Sequence, residues 1–99
     1  MAFMEISIVP IGTGSVSVGE YVAEAVKLLK ESGLEFTVSD MGTIIEGTPE
    51  ELFLIAKKMH ESAFLKGSKR VYTVIKMDDR RDRPVHLGQK SKSVEKRIK

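Results

Sequence analysis

Met41-Gly42-Thr43-Ile44-Ile45-Glu46-Gly47-Thr48-Pro49-Glu50-Glu51 is the stretch that decides the fold. Met41-Gly42 can turn the chain tightly, residues 43–46 make a short strand, and a helix begins almost at once. Thr48 is placed to cap that helix. Pro49 takes the first helical position, where a missing N–H costs nothing. Glu51, three residues after the cap, closes a capping box. Downstream, Leu52, Ile55, Ala56, Met59 and Ala63 form one apolar stripe at helical spacing, with Phe53 beside it. Gly67 is the stop.

Working outward, residues 35–41 alternate, with Phe36 and Val38 opposite Thr37 and Ser39, so they pair with residues 43–46 as a hairpin. Before them, Ser17-Val18-Gly19-Glu20 reads as a second capping box. Val18, Val22, Ala25, Val26 and Leu29 form a stripe, Tyr21 and Leu28 flank it, and Gly33 stops the helix. At the start, residues 4–10 alternate as a strand: Met4, Ile6 and Ile8 on one side, Glu5, Ser7 and Val9 on the other. Pro10 and Gly12-Thr13-Gly14 are expected to end it. At the far end, residues 69–77 give the last strand, with Val71, Thr73 and Ile75 against Tyr72, Val74 and Lys76.

The order β-α-β-β-α-β is the split βαβ pattern. It predicts an α+β, ferredoxin-like sandwich: a four-stranded antiparallel sheet with two helices on one face. The expectation is a single domain over residues 1–99, of which 78–99 form a charged loop and a short C-terminal helix. That helix, residues 87–98, has only Leu87, Val94 and Ile98 as apolar anchors and is expected to lie across a neighbouring surface.

The 99 residues suffice for one small domain, whose stability is limited by its high surface-to-volume ratio. With no Cys there is no disulfide, thiolate metal site or thiol nucleophile, which fits a cytoplasmic location. The apolar runs are too short for a membrane span or a signal peptide. The net charge of +2 hides an asymmetry: residues 1–77 carry 8 basic and 10 acidic side chains, residues 78–99 carry 8 and 4.

With helices on one face, the other is left to solvent or a partner. If Ile6, Ile8, Phe36, Val38 and Ile45 face the helices, then Ser7, Val9, Thr37, Ser39, Ile44, Glu46, Tyr72, Val74 and Lys76 face outward. That mixed surface is predicted to pack against another subunit, with ligand pockets near the interface.

Few residues form a chemical constellation. Gly12-Thr13-Gly14 sits between strand and helix, where backbone N–H groups can hold an anion, but Ser17 replaces the glycine of a dinucleotide fingerprint and no phosphate-loop Lys follows; a plain turn is the favoured reading. His60 and His86 share no metal-ligand spacing and read as surface residues. Asp78, Asp79 and Asp82 interleave with Arg80, Arg81 and Arg83, a pattern of local and inter-subunit ion pairs. Lys66-Gly67-Ser68-Lys69-Arg70-Val71-Tyr72 faintly echoes an RNA-binding strand without its stacking aromatics. No catalytic or metal-binding residue emerges, and no cofactor is called for. Glu46, a carboxylate in an apolar strand, is either exposed at the strand's end, paired with Lys76, or a ligand contact.

Taken together, Ile8-Val9-Pro10-Ile11-Gly12-Thr13-Gly14, Met41-Gly42-Thr43, Ile45-Glu46-Gly47, Arg70-Val71 and Ile75-Lys76-Met77-Asp78-Asp79-Arg80-Arg81-Asp82 resemble the thiamine-binding, YkoF-like protein family, from about residue 6 to residue 94. Met77 departs from it, standing where an aliphatic Ile is expected. The resemblance implies a ferredoxin-like fold, a homo-oligomer built as a dimer of dimers, and binding of thiamine or its hydroxymethylpyrimidine moiety without catalysis. Met41, Gly42, Thr43 and Glu46 lie in the family-like motifs. Ser7 and Ser39 join them as candidates from the strand alternation. An aminopyrimidine would need hydroxyls or a carboxylate at its edge and apolar walls for its faces. Thr43, Ser7 and Ser39 offer the first, Glu46 the second, and Met41 with Gly42 a wall. The expected partners are thus a small molecule and further copies of the chain, not a membrane and not nucleic acid. The alternative is a metabolite-sensing regulatory or assembly module for a partner enzyme.

Overall fold

The computed structural model describes residues 1–14 and 19–98. The Ser17 cap and Val18 fall outside the described residues. The elements are β1 (Ala2–Ile11), α1 (Gly19–Ser32), β2 (Phe36–Ser39), β3 (Gly42–Gly47), α2 (Pro49–Leu65), β4 (Arg70–Asp79) and α3 (Gln89–Ile98). The order of elements matches the sequence expectation. The strands form one antiparallel sheet in the order β2-β3-β1-β4, with α1 and α2 on one face: the ferredoxin-like arrangement.

Local chemistry accounts for the element ends. The Thr48 hydroxyl accepts from the Glu51 N–H at 3.2 Å, and the Thr48 N–H donates to Glu51 Oε1 at 2.9 Å. Both halves of the capping box form, and Pro49 follows it. At the end of α1, Gly33 takes a φ of 76°, which a side chain would resist. β1 runs on through Pro10, contrary to expectation. Beyond Ile6 no described strand pairs with β1 on its β3 side, so the strand is an edge there, and an edge tolerates proline.

The α2 stripe is buried as predicted, but of the described α1 stripe only Ala25 and Leu29 reach the core; Val22 stays 36% exposed, and Leu28 packs against the core instead. Leu52, Ile55, Ala56 and Met59 of α2 pack with Ala25 and Leu29 of α1 onto Ala2, Met4, Ile6 and Ile45 of the sheet. Each large side chain here contributes about 1.5–3 kcal/mol by leaving water.

Register fixes the two faces. Met4 pairs with Ile45 and Met77, and Ile6 with Thr43 and Ile75, on the helix side. Ser7 pairs with Val74, Val9 with Tyr72, Glu5 with Ile44 and Lys76, and Thr37 with Ile44, on the open side. The outward assignments made from alternation therefore hold. The chain itself, however, closes one end of that open face. After β4 it turns back, burying Val85 and half-burying Leu87, and brings His86 against Glu46. No helix among the described residues is long and apolar enough to cross a membrane.

Candidate functional site

Five of the six expected site residues meet at one place. β3 pairs with β1 only as far as Ile6, so from Ser7 onward β1 has a bare edge on that side among the described residues. The β2–β3 hairpin stops beside it, and α1 roofs it. A cavity of about 160 Å³ results, lined by Ser7, Ser39, Met41, Gly42 and Thr43. Tyr21, Val22, Val38 and Met59 provide its apolar walls. The notch opens on the sheet edge, so residues of either parity reach it.

These five expected residues reach the notch from both faces of the sheet. Thr43, 6% exposed, lies on the helix face with Ile45; Ser7 and Ser39 lie on the open face. Strand period alone sends Thr43 and Glu46, three residues apart, to opposite faces. The Ser39 hydroxyl is already engaged, since it donates to the Gly42 carbonyl at 2.7 Å and holds the hairpin turn. Met41 stands at the tip, 84% exposed. Gly42 sits in close approach, since a Cβ there would lie 3.2 Å from both the Ile6 carbonyl oxygen and the Glu5 Cγ, tighter than side chains usually pack.

Glu46 is the residue left out. Its carboxylate does not pair with Lys76, the partner that charge alone suggests. Lys76 bonds Glu5 at 3.1 Å instead, its directly opposed neighbour across β1 and β4. Glu46 is held by His86 Nδ1 at 3.1 Å, a contact absent from the sequence reading. No spacing rule could have found it, because the partner lies in the segment that folds back. His60 is likewise not a loose surface residue: its Nδ1 lies 2.7 Å from Thr73 Oγ1, and its ring meets Phe64 edge-on.

A second cavity of about 400 Å³ lies between the open face and the returning segment, lined by Phe3, Glu5, Ile44, Lys76, His86 and Leu87 among others. Beside it the charged run resolves into local pairs. Arg80 grips Asp82 through two nitrogens at 2.6 and 3.0 Å, Arg81 reaches Asp79 at 2.7 Å, and Lys90 reaches Asp78 at 2.8 Å. Hydrogen bonds from Arg81 and Arg80 hold the Asp79 and Asp82 carboxyls below the usual carboxylate range.

Comparison with known proteins agrees with this architecture. The sequence profile of the family described as thiamine-binding protein matches residues 4–95. UPF0045 protein YqgV of Bacillus subtilis is 40% identical over 102 residues, spanning 99% of this chain and 98% of its own. A UPF0045 protein of Methanothermobacter thermautotrophicus is 41% identical over 99 residues, with 99% and 100% covered. Among solved structures, the hypothetical protein MJ1052 of Methanocaldococcus jannaschii superposes with a TM-score of 0.86 at 32% identity, covering 95% of each chain. TM0486 of Thermotoga maritima, a candidate thiamine biosynthesis or salvage protein, shares the fold with a TM-score of 0.80 at 18% identity over 94% of this chain and 97% of its own.

Proposed function

The chain belongs to the thiamine-binding protein family, and from that premise we propose that it binds thiamine, through its hydroxymethylpyrimidine moiety, in the notch beside the β2–β3 hairpin. Its role ends with binding, so that the protein carries, buffers or senses the ligand and does not transform it. The observation that carries the reading is the meeting of Ser7, Ser39, Met41, Gly42 and Thr43 around one cavity next to a bare strand edge.

The chemistry suits the ligand. An unpaired strand edge offers alternating backbone donors and acceptors. The edge of an aminopyrimidine presents the same alternation and can dock on it as a short strand would. Tyr21, Val22 and Met59 supply apolar surface for the ring. At about 160 Å³ the notch lies below the roughly 300–1,000 Å³ of sites for drug-sized ligands. One chain therefore holds one ring, and the thiazolium half projects toward the rim. The protein works as a cytoplasmic homo-oligomer, a dimer of dimers, in which a neighbouring copy covers the uncapped part of the open face near Val9, Tyr72 and Val74.

A second reading places the ligand in the cavity over the open face, favoured by its larger volume of about 400 Å³. There Glu5 would face the ligand and Glu46 would stand behind His86. Isothermal calorimetry with thiamine and with hydroxymethylpyrimidine tests both readings. Gly42→Val should abolish binding in the notch, whereas Glu46→Gln should weaken it only at the open face. No heat with either ligand into the millimolar range would remove thiamine binding altogether.

A further inference from the structure

We infer that the gap between α3 and the loop after β4 is a second binding site, separate from the notch, for a small molecule that joins a phosphate group to an apolar ring. The gap is a cavity of about 750 Å³. α3 buries none of its residues, so its inward face looks across open space and not onto a packed core.

The charges around this space are not balanced. Arg80, Arg81, Arg83, Lys90 and Arg97 surround it with five permanently positive groups, against the three carboxylates of Asp78, Asp79 and Asp82. Each of the three carboxylates is in ion-pair contact with one cation, Asp82 with Arg80, Asp79 with Arg81 and Asp78 with Lys90, and Asp82 also feels the charge of Arg83 at longer range. No carboxylate lies in ion-pair contact with Arg83 or Arg97 among the described residues. These two line one cavity, Arg83 from the loop and Arg97 from the helix. An anion placed between them would take up charge-assisted hydrogen bonds that no carboxylate among the described residues accepts, and guanidinium is the group suited to the forked geometry of phosphate.

The pairs already formed favour such a site. Asp82 and Asp79 fix the guanidinium groups of Arg80 and Arg81, so those cations are pre-oriented before any ligand arrives. The cavity has an apolar part: Phe3, Val85 and Val94 line it, and Val94 stays 55% exposed. A bare anion would leave that part wet; a ring attached to the phosphate would cover it. The site lies at the Phe3–Asp78 end of the sheet, while the notch lies beyond Ser7, so one small ligand cannot occupy both.

The probes are phenyl phosphate and inorganic phosphate, titrated into the ¹⁵N-labelled full chain and followed by NMR. Phenyl phosphate should shift amides of residues 79–97 saturably, bind several-fold tighter than inorganic phosphate, and weaken as salt is raised. Arg97→Glu should weaken it by about tenfold, the loss of one hydrogen bond to a charged group. Lys30→Glu, a change of equal charge on α1, should leave it unaltered. Arg97 is on an exposed helix that buries nothing, so the variant keeps its fold. Non-saturable shifts, equal affinity for the two probes, or equal losses in Arg97→Glu and Lys30→Glu would overturn the assignment. Loss of thiamine binding at the notch would leave it standing.

Discussion

His86 Nδ1 lies 3.1 Å from Glu46 Oε1, a contact between residues forty positions apart. The Glu46 side chain is 10% exposed and that of His86 64%, so the pair joins a covered carboxylate to a surface imidazole. A carboxylate in such a position is costly without a partner. In the tautomer that carries its proton on Nδ1, His86 donates that partner bond. The contact therefore fastens the returning segment to the open face, together with buried Val85.

Replacing His86 with Ala should release this fastening. Hydrogen exchange of residues 84–98 should quicken, and global stability should fall by about 1–3 kcal/mol because Glu46 loses its donor. Exchange rates in that segment identical to those of the unmodified protein would show that Val85 alone holds it.

The α2 cap gives a prediction in which the direction with pH is fixed. Bonds from the Thr48 backbone and side chain hold the Glu51 carboxyl below its ordinary value. A carboxyl lowered in the folded state stabilises the fold above its unfolded value, and that stability is lost as pH falls through the folded one. Thr48→Ala should cost about 1 kcal/mol at neutral pH, a drop of about 4–8 °C in Tm for a domain of this size. As pH falls through the folded-state value of Glu51, its bond to the backbone N–H of residue 48 is lost in both proteins, and only the part of the difference that runs from the Thr48 hydroxyl to the Glu51 carboxylate should shrink. Thermal melts at pH 7 and in acid check both parts; a gap that stays constant would mean that the Thr48 hydroxyl does not act through Glu51.

What the sequence made legible follows from range. Capping boxes, stripes and strand alternation are local, so Thr48, the Leu52–Met59 stripe and both sheet faces could be read directly. The separation of Thr43 from Glu46 is also local: strand period sends two residues three apart to opposite faces, and grouping them by motif overlooks it. The bare edge of β1 was not legible, because it depends on where β3 stops pairing, at Ile6–Thr43. Charge alone offers Lys76 to Glu46, whereas the register gives it Glu5, and register is a long-range property. The His86 contact is longer-range still.

Gly42 offers the sharpest test of the notch. A Cβ there meets the Ile6 carbonyl oxygen at 3.2 Å, and a backbone atom held in a sheet has little room to yield. Gly42→Ala should push the hairpin away from β1, costing about 1–3 kcal/mol by overpacking, and Gly42→Val more. If the notch is the ligand site, thiamine affinity should fall in Gly42→Ala by far more than in Met41→Ala, whose side chain stands in solvent. Calorimetry on the three proteins decides; equal affinities would move the ligand elsewhere.

The exposed part of the sheet makes the last prediction. β4 is an edge strand of ten residues, and no described strand covers its outer side. Tyr72 and Val74 on its open face are 60% and 41% exposed, Val9 beside them 43%, and Ile75 on the helix face 43%. A long, partly apolar edge of this kind can pair with another chain, and Val9, Tyr72 and Val74, gathered on one face, are the kind of exposed apolar surface that an association would bury. A second copy is the partner proposed, so light scattering should return a multiple of the 11.0 kDa chain mass. Val74→Lys puts a charge in the middle of the patch without touching the core, and should return the lone chain while its circular dichroism stays unchanged. A mass near 11.0 kDa for the unmodified protein at every concentration would leave the patch without the occupant assigned to it. An oligomer that survives Val74→Lys would place the contact on another surface, the outer edge of β2 being the next in line because it too lacks a neighbouring strand among the described residues.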